Sequence, residues 1–184
     1  MKKRVLFVSE FTGLNTGYSV YTNELMKRLY ATGKYELAEL ACYCPTDFHG
    51  LKDIPWKVYP NLPSNDQERA IYESSPTAEF GEWKFESVCL DFFPDIVCSI
   101  RDFWMDAWID LSPFRRFYKT VMMPTVDGSP QHPDWIDLYK STDVVLAYND
   151  WSLELLRKEG GGLINLHKSA PPSADSEQFK FVSD

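Results

Sequence analysis

The sequence predicts an α/β fold: a doubly wound, mostly parallel sheet of about seven strands with helices on both faces. Two observations carry this reading. Short runs that are apolar on both strand faces recur along the chain, beginning with RVLFVS at residues 4–9, and such runs belong to strands covered on both sides. They alternate with amphipathic helical segments at the spacing of βαβ units, which joins successive strands in parallel. The 184 residues suffice for one domain with a sizeable core, and no internal repeat or low-complexity segment interrupts the alternation.

The elements follow in order. Residues 4–9 are the first strand, and a loop with Gly13 and Gly17 leads into a helix over residues 19–32. Val20, Tyr21, Leu25, Met26, Leu29 and Tyr30 give that helix a broad apolar stripe, and Gly33 stops it. Residues 35–44 (YELAELACYC) read as the second strand and residues 56–60 (WKVYP) as a short third. Residues 61–81 have no clean period and carry Pro63, Asn65, Ser74, Ser75 and Pro76, with room for one or two helical turns in DQERAIYE. This stretch is expected to be a loop among the most mobile parts of the chain.

A helix over residues 82–93 precedes the fourth strand at 95–100 (DIVCSI). Residues 105–118 are helical in part, because Pro113 must interrupt them. The fifth strand covers 119–126 (KTVMMPTV), with Pro124 outside the ladder, and a short helix over 133–141 has Pro near its first turn. The sixth strand is 143–148 (DVVLAY). Asn149 caps the next helix, whose last turn holds Arg157 and Lys158 before Gly160. GLINLH at 162–167 reads as the seventh strand, followed by a polar tail with two prolines.

Composition limits the function. A hydrophobic content of 44% marks a globular chain, and a net charge of −8 argues against a nucleic-acid partner or an anionic membrane held by bulk electrostatics. The apolar runs are strand-length, so no transmembrane segment is expected. The basic start, Met1 to Arg4, is followed by only a short apolar stretch at 5–8, which is too brief for a signal peptide and gives a cytoplasmic reading. Cys42, Cys44, Cys89 and Cys98 form no C-x-x-C pair, and His49, His132 and His167 are scattered. The cysteines therefore read as small buried hydrophobes, with no metal site.

Ligands of such sheets sit at the carboxyl ends of the strands. The first strand delivers Glu10 and the glycine loop there, the fourth Arg101 and Asp102, the fifth Thr125 and Asp127, and the sixth Tyr148 and Asn149. The glycine loop is neither G-x-G-x-x-G nor a Walker loop, which weakens a nicotinamide dehydrogenase reading. Its amides at a helix N-terminus suit a phosphate or a sugar hydroxyl, or the glycines serve only the backbone angles of a plain turn. Asp127, followed by Gly128, is placed to bind a sugar or act as a base, or it organises its own turn. Trp104 and Trp108, four apart beside Asp102 and Asp106, suit the apolar face and hydroxyls of a sugar, with core packing the alternative for at least one of them. PFRRFYK at 113–119 is a solvated helix end, or a contact for an anionic acceptor or lipid headgroup.

Three stretches resemble the N-terminal, Rossmann-like domain of a GT-B glycosyltransferase of the family 4 (group 1) type: VLFVSEFTGLNTGYSVYTNELMKRL, FPDIVCSIRD and MPTVDGSPQHPDWIDLYKSTDVVLAYNDWSLELLRKEG. The resemblance covers most of the chain. It implies transfer of a sugar from a nucleotide-sugar donor, a cosubstrate rather than a cofactor, to an acceptor held mainly by this domain. It puts Gly13, Gly17 and Tyr18 at the cleft, with Glu10, Arg101, Asp102 and Trp104 as further substrate-binding candidates. Asp127 is the catalytic candidate, standing where many members of the family have a histidine. The family's C-terminal domain, which holds most donor contacts and an E-x7-E-type motif, has no counterpart here. Residues 1–169 are expected to be the acceptor-side domain, and 170–184, with APPSADSEQF, the start of a crossover too short for a domain of about 100–150 residues. The resemblance thus implies a fragment that is inactive alone and self-associates through the face its missing partner would cover. The rival reading is a stand-alone flavodoxin-like module that binds a nucleotide or sugar without chemistry.

Overall fold

The computed structural model describes residues 2–173. Its strands are β1 (Lys3–Glu10), β2 (Tyr35–Cys42), β3 (Lys57–Pro60), β4 (Ile96–Ser99), β5 (Lys119–Met122), β6 (Val144–Ala147) and β7 (Leu166–Ser169). They form one seven-stranded sheet in the order β3-β2-β1-β4-β5-β6-β7, and each pairing is parallel. The expected doubly wound sheet is therefore the fold. The chain runs outward from β1 through β2 and β3, then returns to the other side of β1 with β4. The strand order reverses there, and the crevice outside the carboxyl ends of β1 and β4 is where such sheets bind ligands.

Six α-helices connect the described strands: α1 (Gly17–Ala31), α2 (Asp66–Tyr72), α3 (Glu82–Phe92), α4 (Ala107–Leu111), α5 (Pro133–Ser141) and α6 (Asp150–Glu159). The alternation of β1 feeds two cores. Val5 and Phe7 pack with Met26, Tyr21, Leu25 and Leu29 of α1. Leu6 and Val8 point the other way, into Phe85, Val88 and Phe92 of α3 and Trp108 and Ile109 of α4. Val145 of β6 gathers Ile136, Tyr139 and Leu156 from α5 and α6. Each large apolar side chain buried this way contributes about 1.5–3 kcal/mol relative to exposure. α1 thus covers one face of the sheet, and α3 to α6 cover the other.

Several boundaries differ from expectation. β2 ends at Cys42 because Tyr43 turns the chain with a left-handed φ of 65°. β5 ends at Met122; one more ladder bond, Met123 N–H to Ser99 O at 2.9 Å, precedes Pro124, which has no N–H to continue it. The seventh strand is displaced from 162–167 to Leu166–Ser169. Gly161 and Gly162 adopt left-handed φ values of 59° and 79°, so this part of the run is a turn. Residues 61–81 are tied at both ends: Asn61 Nδ2 donates to the carbonyls of Ala78 and Glu79 at 2.9 and 3.0 Å, and Trp83 Nε1 donates to Asn61 O at 3.1 Å. Between these anchors, Asn65 caps α2 by accepting from Glu68 N–H at 3.0 Å.

Of the expected crossover, residues 170–173 are described and 174–184 lie outside the described residues. Ala170 continues from β7 along α1, where its carbonyl accepts from Tyr21 Oη at 3.2 Å. Among the described residues no helix is long and apolar enough to cross a membrane.

Candidate functional site

The site is built on the turn that follows β1. Phe11 is buried at its start, and its N–H donates to Cys42 O at 3.0 Å, so the turn begins locked to β2. A Cβ at Gly13 would stand 2.5 Å from the Phe11 ring, which is why glycine is needed there. Ser19 Oγ lies 2.7 Å from the carbonyls of both Phe11 and Leu14, closing the turn onto α1. Thr16 caps α1 by accepting from Ser19 N–H at 3.3 Å, and its hydroxyl donates to the Glu10 carboxylate. The amides of Gly17 and Tyr18, in the first helical turn, have no intrahelical partner. Nothing lies within 4 Å of a Cβ built on Gly17, so this backbone is open to approach.

Tyr18 ties the ends of three elements together. Its hydroxyl donates to Asp102 Oδ1, after β4, at 3.1 Å, and lies 2.9 Å from Thr125 Oγ1, after β5. Burial raises the Tyr18 pKa above the usual phenol value; Thr125 opposes this, while Asp102 and Glu10 add to it. The phenol therefore stays protonated and serves as a donor at neutral pH.

A cleft of about 1040 Å³ opens beside this constellation, close to the upper end of the usual range for small-molecule sites. Glu10, Thr16, Gly17, Tyr18, Thr125 and Tyr148 line its head, and it continues along α1 past Tyr21 and Leu25, with Pro171 to Ser173 opposite. Glu24 and Arg28 close the far end as an ion pair at 2.5 Å. Tyr21 and Tyr148 pack ring to ring with centroids 5.9 Å apart.

The residues expected to form the site do not all meet. Glu10, Gly17 and Tyr18 line the cleft, and Asp102 reaches it through Tyr18. Gly13 shapes the turn behind it. Arg101 points into the protein: it is 1% exposed, pairs with Asp106 at 2.6 Å, and donates to Phe80 O at 2.9 Å and Cys42 Sγ at 3.3 Å. Trp104 stands on the carboxyl edge outside the cleft lining, and Trp108 is in the core, its Nε1 donating to Met105 O at 2.6 Å. Asp127 is exposed on the loop after β5, and its carboxylate accepts no hydrogen bond among the described residues. Gln131 and Glu159 organise that turn instead: Gln131 Nε2 donates to Gly128 O at 2.7 Å, and Glu159 accepts from Gln131 N–H at 2.7 Å.

Tyr21, Glu24 and Arg28 are additions from the structure. Helical periodicity holds their signal, since 17, 21, 24 and 28 share one face, but Tyr21 and Leu25 also fit an apolar stripe and read as core. Arg115, in PFRRFYK, is half-buried and engaged within the protein: it pairs with Asp110 at 2.7 Å and Asp143 at 3.0 Å and bridges to Ser141 O. The four cysteines are free, and among the described residues no three His, Cys, Asp or Glu side chains group to hold a metal ion.

No family model and no curated protein matches the chain. Solved structures do. Sucrose-phosphate synthase from Thermosynechococcus elongatus superposes with a TM-score of 0.65 at 10% identity, over 98% of this chain and 51% of that one. A second solved chain of that enzyme from the same organism gives 0.57 at 11% identity, over 97% and 92%. The chain spans about half the length of the first of these. At such identities the likeness establishes the fold alone, a doubly wound, Rossmann-like α/β domain.

Proposed function

We infer that this chain is the acceptor-side domain of a glycosyltransferase of the family 4 type, which moves a sugar from a nucleotide-sugar donor to an acceptor. The observation that carries the reading is the cleft at the strand-order reversal, where the open backbone of Gly17 and the hydroxyl of Tyr18 meet Glu10 and Thr125. Free amides at a helix start favour the negative charge of a donor phosphate, and hydroxyl and carboxylate groups suit sugar hydroxyls.

In this reading residues 1–169 hold the acceptor and border the donor, and 170–184 begin the crossover to a second domain that grips the nucleotide. Gly13 keeps the turn in shape, Gly17 and Tyr18 face the transferred sugar, and Asp102 orients Tyr18. Asp127, exposed on the loop two residues beyond the cleft-lining Thr125, orients the reacting sugar. Arg101 acts from beneath, by holding the strand ends.

The test is a transfer assay with a panel of nucleotide sugars, on the 184-residue chain and on a longer chain carrying a second α/β domain. The short chain is expected to be silent and the longer one active, with Asp127→Asn lowering turnover by about ten- to ten-thousand-fold. Robust transfer by the short chain would refute the domain assignment. Tight nucleotide binding with no transfer by either chain would favour a stand-alone binding module.

A further inference from the structure

The head of the cleft is polar, but its length along α1 is not. Past Tyr18 the lining becomes Val20, Tyr21 and Leu25 of α1 with Tyr148, and Pro171 and Pro172 stand opposite. Val20 is 51% exposed, so its side chain is left to the cleft rather than to the core. The opposite wall is held in place: Ala170 N–H donates to Ala147 O at 2.7 Å, and Tyr21 Oη donates to Ala170 O at 3.2 Å. With its hydroxyl engaged there, Tyr21 presents its ring to the cleft. Gly17 and Arg28 are eleven residues apart on α1, a rise of about 16 Å, which leaves room beyond a sugar ring bound at the head.

Charge in the lining is confined to the two ends. Glu10 stands at the head, where its carboxylate accepts from the Thr16 hydroxyl. Glu24 and Arg28 stand at the far end, already paired with each other, and Glu24 also accepts from Lys27 Nζ at 3.1 Å. The stretch between, made by Val20, Tyr21, Leu25 and Tyr148, carries no charge.

We propose that the acceptor is amphiphilic, with a hydroxyl-bearing head at Glu10, Tyr18 and Thr125 and an uncharged hydrocarbon tail along Val20, Tyr21 and Leu25. The chemistry selects this class. Each methylene buried against these side chains adds affinity, whereas a charged tail would lose its hydration to rings and methyl groups that give nothing back. A cleft walled on both sides and continuous with the polar head takes one narrow molecule along its length, where a flat protein face would leave it unfilled. The proposal rests on the glycosyltransferase reading for the word acceptor, but the site can be tested without it.

The purified 184-residue chain, methyl-labelled at valine and leucine, is titrated by NMR with methyl, butyl, hexyl and octyl β-glucosides below their micelle-forming concentrations. The Val20 and Leu25 methyls are expected to shift, and octyl glucoside should bind at least about tenfold more tightly than butyl, since each buried methylene adds up to about fourfold. Val20→Glu should weaken octyl glucoside by about tenfold or more, and Val20→Leu should not. Phe117→Ser, which removes an apolar side chain exposed outside the cleft, should leave binding unchanged. Backbone spectra confirm that each variant is folded. Affinity that ignores tail length, or that survives Val20→Glu, overturns the proposal. So do Val20 and Leu25 shifts that follow protein concentration alone, which would assign the cleft to a second copy of the chain, or contacts to these methyls from residues 174–184 in the free chain. Transfer by the longer chain that is indifferent to the tail and to Val20→Glu would sink the amphiphilic acceptor and keep the function. Tail-dependent binding with no transfer by any form would keep the site and sink the function.

Discussion

Glu39 is a carboxyl in the middle of an apolar strand, 2% exposed, and it holds the glycine loop from behind. Thr12 donates to it twice, from its hydroxyl at 2.7 Å and its N–H at 3.2 Å, and Trp56 Nε1 lies close without a hydrogen bond. Burial raises the Glu39 pKa to about 7 from the usual 4.5, and the Thr12 donors only partly offset it. Between those values the folded chain keeps a proton that the unfolded chain has released. The resulting stabilisation is full below 4.5 and is lost as pH rises through 7, by at most about 3 kcal/mol. Urea unfolding of wild type and Glu39→Gln should therefore diverge over this window, the wild type losing stability relative to the variant as pH rises. A difference that stays constant with pH would mean that Glu39 does not titrate there. Gly17 makes a contrasting case. The protein leaves open space at its Cβ position, so Gly17→Val should shift stability by less than about 0.5 kcal/mol while weakening nucleotide-sugar use by the longer enzyme. A large loss of melting temperature would show that the glycine serves the fold instead.

Arg101 joins elements. One guanidinium reaches the end of β2 at Cys42, the short turn at Phe80 and the turn after β4 at Met105 and Asp106. Removing it strands a buried carboxylate: Asp106 is 2% exposed, and Ser99 is its other side-chain partner. Arg101→Met should cost about 3–5 kcal/mol, measured by denaturant unfolding. A cost below about 1 kcal/mol would mean that Asp106 is neutral and the pair is no pair. Arg101 also shows how far sequence reaches. Its place at the end of β4 was legible from the apolar run before it. Its direction was not, because that depends on Asp106 and on the carbonyl of Phe80, a partner from another connection. The strands read well wherever the apolar period was uninterrupted. β7 did not, since Leu163 and Ile164 look like strand residues and only the left-handed Gly161 and Gly162 place them in a turn. At the site, Gly17 and Tyr18 were legible because they stand at a strand-to-helix junction. Tyr21, Glu24 and Arg28 were not, because a cleft along the side of a helix leaves the same spacing as a core stripe.

The whole molecule is unevenly clad, with α1 on one face of the sheet and α3 to α6 on the other. Large apolar side chains also stand in water at the end of α4 and on its connection to β5, where Leu111 is 83% and Phe117 76% exposed. Exposed apolar groups of this size favour contact between molecules. Sedimentation of the 184-residue chain should show concentration-dependent association, reduced in Leu111→Ser/Phe117→Ser. A monomer at all concentrations would show that these side chains are too sparse to bind one another.

The central place of β1 also sets an order of events during synthesis. β2 lies opposite all eight residues of β1 and β3 follows by Pro60, but the other edge of β1 waits for β4, where Ile96 stands opposite Val5. At translation rates of about 5–20 residues per second, the ribosome needs roughly two to eight seconds to pass from Pro60 to Ser99. For that interval the nascent chain carries an apolar strand with one bare edge, the kind of surface that templates aggregation. The feature that positions the cleft in the finished protein is thus the one most in need of shelter while the protein is being made.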